Sequence, residues 1–311
     1  MFNKHTLSMH TDEDSMNLIF DKAALAGKRI LVTGGGTGLG RELATGLARH
    51  GAKVYICGRR ESVLSEAAEH IFSETGSRVS TLICDLRSAE MVENMIEQIW
   101  HEGPLNGLIN NAAANFISPT KDLSPRGYEA IRSTVMDGSF FTTLACGKRW
   151  IKEGIKGSVL SNLVSWVWSG SAFVVPAAMA KSAINNMTQS LAVEWGGYGI
   201  RLNAIAPGPF PTEGAWEKLN PIEGSSVGAT QSDQIPMRRF GRMEELQNLV
   251  IFLMSDACEF LTGQTIAIDG AHHLAAPSTF AGLTEMTDEQ WAAAKEKIKA
   301  ASDRDKKMRS I

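Results

Sequence analysis

The sequence predicts an α/β fold in which helices cover both faces of a parallel sheet. From Lys28 onward, short apolar runs alternate with longer segments whose apolar residues recur at helical spacing, as in repeated βαβ units. The runs 30–32 and 54–57 are almost continuously apolar, as strands covered on both faces must be. A glycine-rich turn, residues 34–40, separates the first run from the first helical segment. Together these observations predict a doubly wound sheet of the Rossmann type.

Seven strands and six intervening helices account for most of the chain. The strands are predicted at 29–33, 53–57, 79–84, 107–110, 157–163, 201–206 and 265–268, and the helices at 40–50, 63–75, 89–100, 128–152, 179–195 and 243–255. After residue 270 the sheet is complete, and Thr287 is placed to cap a last helix over 287–301. We therefore expect a single domain over 26–274, an N-terminal arm over 1–25 and a C-terminal helical extension over 275–311.

Composition and charge exclude several classes of protein. The chain of 311 residues has a formal net charge of -3 with mixed acidic and basic residues, so nucleic acid and anionic membranes are not expected partners. The four cysteines form no CxxC pair, and adjacent His272 and His273 make a poor metal pair, so we predict no disulfide framework and no metal. No run reaches the roughly 18 apolar residues of a membrane span, and the first 20 residues lack a secretory apolar stretch. We predict a cytoplasmic protein.

The turn Thr33-Gly34-Gly35-Gly36-Thr37-Gly38-Leu39-Gly40 predicts a dinucleotide site. It follows an apolar strand and opens a helix, so its glycines let the backbone approach a pyrophosphate at the helix N-terminus. NAD-selective folds commonly place an acidic residue at the end of the second strand, where this chain has Arg59 and Arg60. Because a charged guanidinium can donate two hydrogen bonds to a 2′-phosphate, these residues favour NADP(H) over NAD(H).

Several motifs together resemble the short-chain dehydrogenase/reductase family over about residues 26–274. They are the glycine turn, Cys84-Asp85, Asn110-Asn111-Ala112-Ala113, Lys181, Ile200-Arg201-Leu202-Asn203 and Pro207-Gly208-Pro209. The resemblance implies that Asp85 binds the adenine and that Lys181 binds the nicotinamide ribose. The implied cofactor site comprises Gly34, Gly36, Thr37, Gly38, Leu39, Gly40, Arg59, Asp85, Leu86, Asn111, Ala112, Lys181, Pro207, Gly208 and Phe210.

Within that family the chain looks most similar to the 2,4-dienoyl-CoA reductases. The likeness lies in residues 111–120, 173–176 and 206–210 and in Glu289-Gln290-Trp291. It implies hydride transfer from NADPH to a conjugated acyl-CoA thioester, followed by protonation of the dienolate. Such an enzyme needs a hydrogen-bond donor at the thioester oxygen, for which Asn115 is the candidate. The likeness also implies that acyl-CoA contacts lie at Arg87, Asn115, Phe116, Ser124 and Lys218.

Three positions depart from the family's catalytic pattern. The tyrosine four residues before Lys181 is Ala177, the usual serine is Val164, and the loop tyrosine of the mitochondrial-type dienoyl-CoA reductases is Trp166. The peroxisomal-type reductases resemble this chain in lacking the tyrosine and serine. That likeness implies a water, held by Lys181 and Asp137, as the proton donor. The predicted catalytic residues are therefore Lys181, Asp137 and Asn115.

Two other functions remain open on the sequence alone. One is a catalytically reduced NADP(H)-binding scaffold or sensor. The other is a reductase of a different carbonyl or enone compound, with Trp166 and Trp168 stacking on the substrate. Related proteins form tetramers through the helices equivalent to 128–152 and 179–195, so a homotetramer is expected. Met187, Leu191 and Trp195 suit that interface, and they suit the core of one subunit as well.

Overall fold

A single parallel sheet organises the chain in the structure, a computed structural model that describes residues 20–212, 232–275, 283 and 286–307. Its strands are β1 (Arg29–Thr33), β2 (Lys53–Gly58), β3 (Ser80–Ile83), β4 (Gly107–Asn110), β5 (Gly157–Asn162), β6 (Ile200–Pro207) and β7 (Thr265–Ile268). They lie in the order β3-β2-β1-β4-β5-β6-β7. The order reverses between β1 and β4, and in open α/β sheets ligands bind at this point, beyond the carboxyl ends of the strands. The predicted fold class is confirmed.

Helices cover both faces of the sheet. The α-helices of the described residues are α1 (Gly38–Arg49), α2 (Glu61–Thr75), α3 (Ala89–Glu102), α4 (Pro125–Arg132), α5 (Gly138–Glu153), α6 (Trp166–Ser169), α7 (Val175–Trp195), α8 (Met243–Met254), α9 (His272–Ala275) and α10 (Asp288–Lys307). On one face α1, α2 and α8 bury side chains such as Leu43 and Val250. On the other, α3, α5 and α7 bury side chains such as Val92 and Cys146. Removal of this apolar surface from water holds the three layers together.

The predicted helix over 128–152 is wrong in one respect, because a π-helical turn, Ser133–Asp137, interrupts it between α4 and α5. The hydroxyls of Ser133 and Thr134 donate to the carbonyls of Glu129 and Ala130 at 2.6 and 2.9 Å. Such bonds back to the preceding turn compete with the regular helical ladder. A π turn changes the helical register, so residues on its two sides do not share the faces that a continuous helix predicts.

Both ends of the described chain pack against the domain. Leu25 is fully buried in the core, so the last residues of the predicted arm contribute to the domain itself. At the other end, Thr287 and Gln290 cap α10 reciprocally. The Thr287 N–H donates to Gln290 Oε1 at 2.9 Å, and the Gln290 N–H donates to Thr287 Oγ1 at 3.3 Å, which confirms the predicted cap.

Within the described ranges, no helix is both long and apolar enough to cross a membrane.

Candidate active site

A cavity of about 550 Å³ lies at the carboxyl ends of the central strands. Its size falls in the range of roughly 300–1,000 Å³ that is typical of small-molecule sites. It brings together most of the predicted cofactor residues: Gly34, Gly36, Thr37, Gly38, Leu39, Gly40, Arg59, Asp85, Leu86, Asn111, Ala112 and Lys181. The predicted contacts at Pro207, Gly208 and Phe210 lie outside this lining. Phe210 instead lines a separate cavity of about 130 Å³.

The glycine turn is packed too closely to hold side chains at two of its positions. Gly34 has a φ of +64°, and a Cβ there would lie 2.9 Å from the Cα of Ala112. A Cβ on Gly40 would overlap the carbonyl oxygen of Gly34. Among the described residues, no side chain caps the N-terminus of α1, so its N–H groups and the positive end of its dipole serve the cavity. These features fit a dinucleotide pyrophosphate.

A hydrogen-bond network joins this turn to the neighbouring strands. The Thr33 hydroxyl accepts the N–H groups of Asn111 and Ala112 at 3.0 and 3.1 Å. The Asn162 side chain donates to Asn111 Oδ1 at 2.9 Å, and the Asn162 carbonyl accepts from the Lys181 ammonium. Sequence reasoning missed Asn162 as a site residue. The available signal was a polar side chain ending the strand Gly157–Asn162, which is buried throughout.

Charged groups lie at the end of the cavity beyond β2 and β3. Arg59 and Arg60 line it beside Gly58. The Arg87 Nε donates to both carboxylate oxygens of Asp85 at 2.9 and 3.0 Å. This bond with Arg87 lowers the pKa of Asp85, and the charge of Arg59 adds a smaller effect in the same direction. Asp85 therefore stays ionised at neutral pH. Because Arg87 is engaged with Asp85 and lies outside the lining, its contact with substrate stays a prediction.

The other end of the cavity holds a buried lysine among apolar side chains. Lys181 is 9% exposed, and burial lowers the pKa of its ammonium group to about 8. Val164, Trp166 and Ala177 line the cavity nearby. Three tyrosines occur in the whole chain, at positions 55, 128 and 198, and none of them lines the cavity. The wall beside Lys181 thus offers no phenol to act as an acid.

Asn115 carries a polar atom that a ligand can satisfy. Its amide lines the cavity, and its Oδ1 is buried without a hydrogen-bond partner among the residues described. A buried polar atom left in this state costs about 1–3 kcal/mol. A half-turn of the carboxamide places the two N–H donors at the same position, so the group can either accept or donate a hydrogen bond to a bound molecule.

The structure separates Asp137 from the other predicted catalytic residues. The Asp137 carboxylate ends the π turn and accepts from Arg132 Nη1 at 2.7 and 3.0 Å. It lies outside the cavity lining, whereas Lys181, Asn115 and Trp166 are part of it. The predicted pairing of Asp137 with Lys181 therefore stays a prediction.

Three predicted acyl-CoA contacts also lie away from the cavity wall or beyond the described chain. Ser124 caps α4 by accepting the Gly127 N–H at 3.1 Å. Phe116 packs against the cluster that contains Ile131 and Ala177. Lys218 falls outside the described residues. The substrate roles of Ser124, Phe116 and Lys218 stay predictions.

Known proteins resemble this chain over most of its length. The family model described as enoyl-(acyl carrier protein) reductase matches residues 34–273. A Caenorhabditis elegans protein named as a probable (3E)-enoyl-CoA-producing 2,4-dienoyl-CoA reductase is 40% identical over 81% of this chain and 82% of its own. The solved structure of a Bacillus anthracis short chain dehydrogenase is 37% identical, with a TM-score of 0.71 over 79% of this chain and 96% of its own.

A second solved structure contains a cofactor. The gluconate 5-dehydrogenase from Burkholderia cenocepacia, in complex with NADP and tartrate, is 29% identical, with a TM-score of 0.74 over 82% of this chain and 99% of its own. The matched family region includes the glycine turn and Lys181. The chain is therefore an oxidoreductase that belongs to the short-chain dehydrogenase/reductase family, whose members bind NAD or NADP.

Proposed function

We propose that this chain is an NADP(H)-dependent reductase of conjugated acyl-CoA thioesters of the 2,4-dienoyl type. The observation that carries the proposal is the wall beside Lys181, where Val164, Trp166 and Ala177 line the cavity and no tyrosine does. The named relative from Caenorhabditis elegans supports the same substrate class.

The chemistry of a dienoyl thioester suits such a wall. Reduction of a ketone builds negative charge on one oxygen, which needs a proton donor in the hydride-transfer step. In a dienoyl thioester the charge spreads over the dienolate, and the proton reaches carbon in a later step. A hydrogen-bond donor at the thioester oxygen and a bound water are then sufficient.

The cofactor that we propose is NADP(H), which when bound supplies or accepts the hydride. Arg59 and Arg60 line the cavity at the end of β2, where an acidic residue would favour NAD. A 2′-phosphate there gains charge-assisted hydrogen bonds from guanidinium groups. The NADP bound to the gluconate 5-dehydrogenase supports the same choice.

The roles of the polar groups follow from their positions. The Lys181 ammonium is held by the Asn162 carbonyl and has further donors for ribose hydroxyls and a water. The Asn115 amide, turned to present its N–H groups, stabilises charge on the thioester oxygen. In this proposal Asp137 orders the water, and its carboxylate exchanges Arg132 for that water when substrate is bound.

We also propose a homotetramer assembled through α5 and α7, and a cytoplasmic location. Of the residues that suit either the interface or the core, Trp195 belongs to the core, because its indole packs over Gly147 and is 6% exposed within one chain. The exposed apolar side chains on these helices are Phe140, Met179 and Val193. They are the candidates for contacts between subunits.

An absorbance assay of NADPH oxidation tests the proposed activity. We expect oxidation with 2,4-decadienoyl-CoA and none with a panel of ketones. Lys181→Ala and Asp137→Asn should each slow turnover, while Lys148→Ala, which removes an exposed lysine from α5, should not. Tight NADPH binding without oxidation of any substrate would support the scaffold or sensor instead. Oxidation with ketones alone would support the other class of reductase.

A further inference from the structure

A second cavity, of about 520 Å³, is lined by residues that differ from those of the active-site cavity. Its lining comes from the loop after β4, from the loop before α7 with the first residue of that helix, and from α10 with the residues just before it. We call it the α10 groove. Its lining is mainly apolar and comprises Pro119, Thr120, Lys121, Ala172, Phe173, Val175, Leu283, Met286, Asp288 and Trp291.

One loop and one packed side chain link the α10 groove to the cofactor cavity. Asn115 lines the cofactor cavity and Pro119 lines the groove, and both belong to the loop after β4. Trp166 lines the cofactor cavity and also packs into the apolar cluster of Val174 and Leu283 beneath the groove. An acyl chain that extends from beside Lys181 past Trp166 would therefore meet the groove.

The helix α10 packs against a strained residue of the loop before α7. Phe173 has a φ of 64°, a backbone conformation that costs a non-glycine residue about 1–3 kcal/mol. The ring of Phe173 packs on that of Trp291 with 4.8 Å between their centroids, and its carbonyl accepts the Ser118 N–H at 2.9 Å. The groove is thus fixed from both sides.

Among the described lining residues of the groove, charge is confined to one pair. Lys121 Nζ lies 3.1 Å from Asp288 Oδ1, and both side chains are largely exposed. The remaining wall, built from Phe173, Val175 and Trp291 among others, suits an uncharged, flexible hydrocarbon. A carbohydrate or a phosphate would find few hydrogen-bond partners there.

The geometry points to the α10 groove as the site that binds the acyl chain of the thioester, an inference that rests on the proposed function. The C-terminal extension then determines which chain lengths the enzyme accepts. Each methylene buried in the groove raises kcat/KM about fourfold, the equivalent of about 0.8 kcal/mol per CH₂.

A matched pair of substitutions tests the groove. Ala172→Trp fills it from the loop, whereas Ala292→Trp adds the same bulk at an exposed position of α10 outside the lining. The assay measures kcat/KM for dienoyl-CoAs from hexadienoyl to dodecadienoyl. We expect the rise with chain length to disappear in Ala172→Trp and to persist in the wild type and in Ala292→Trp. Met286→Trp, which fills the groove from the residues before α10, should act like Ala172→Trp.

Calorimetric binding of saturated hexanoyl-CoA and decanoyl-CoA to the NADPH-loaded protein separates the groove from the reaction. If no dienoyl-CoA is reduced, the proposed activity fails. The groove inference still stands if decanoyl-CoA binds more tightly to the wild type and Ala172→Trp removes the difference. Equal affinity of the wild type for both thioesters overturns the inference. A preference for the longer chain that persists in Ala172→Trp also overturns it, as does the loss of that preference in Ala292→Trp.

Discussion

Replacement of Lys181 by methionine isolates the cost of burying an ammonium group in the active site. The side chain is 9% exposed, and burial lowers its pKa from 10.5 to about 8. A difference of that size corresponds to about 3 kcal/mol. Wherever the lysine carries its proton in both the folded and the unfolded state, this free energy disfavours folding.

The sign of the pH dependence follows from the two protonation states. Below about pH 8 both states are protonated and the full cost applies. Between about pH 8 and 10.5 the unfolded chain keeps the proton that the folded chain releases, so the free energy of unfolding rises with pH. Lys181→Met lacks this contribution. The wild type should therefore gain about 3 kcal/mol relative to the variant across that window.

Urea unfolding of the cofactor-free protein at a series of pH values measures the difference. The variant also leaves the Asn162 carbonyl without its donor, which costs about 1–3 kcal/mol, but that cost does not vary with pH. Lys295→Met, at an exposed position of α10, controls for the loss of a lysine as such. A difference between wild type and Lys181→Met that stays constant with pH would refute the reasoning, since the ammonium would then be solvated.

Three further predictions concern the cofactor, the loop tryptophan and the assembly. Arg59→Ala should weaken NADPH binding on the order of 10- to 100-fold, because a charged hydrogen bond is lost, and should leave NADH binding unchanged. The control Arg78→Ala should bind both cofactors as the wild type does. Equal losses of affinity for both cofactors in a fluorescence titration would contradict the prediction. Trp166→Tyr should leave kcat unchanged or raise it, and a large loss would show that the indole is needed. Val193→Glu, at a side chain 86% exposed in one chain, should dissociate the assembly in sedimentation experiments, and an unchanged mass would argue against this interface.

Features that depend on local backbone geometry were predictable from the sequence. Short apolar runs mark the strands of a parallel sheet, so 29–33, 107–110 and 265–268 were located to the residue. The cap at Thr287 needs only a hydroxyl and a glutamine three residues later. The glycine turn needs φ > 0 at Gly34 and no Cβ at Gly40, requirements that glycine alone meets without strain.

Features that depend on contacts between distant segments were not predictable in the same way. The periodicity over 128–152 is helical on both sides of the π turn, so the apolar pattern does not show the break at Ser133–Asp137. The engagement of Asp137 with Arg132 follows from that break. The spacing of Trp195 suits either a subunit interface or the core. Its indole can pack into the core only because Gly147 has no side chain there.

The two ends of the active-site cavity differ in how the sequence specifies them. This difference indicates which segments of the chain should determine substrate specificity. The cofactor end consists of strand termini and glycine backbone, which a short motif determines. The reacting end is assembled by Asn115, Trp166 and Ala177 from separate segments, and α10 completes the adjoining groove from the far end of the chain. On the proposed function, substitutions that change which acyl chains are reduced should therefore concentrate in those segments and in α10. They should leave NADPH affinity intact, because the predicted cofactor contacts lie on other residues.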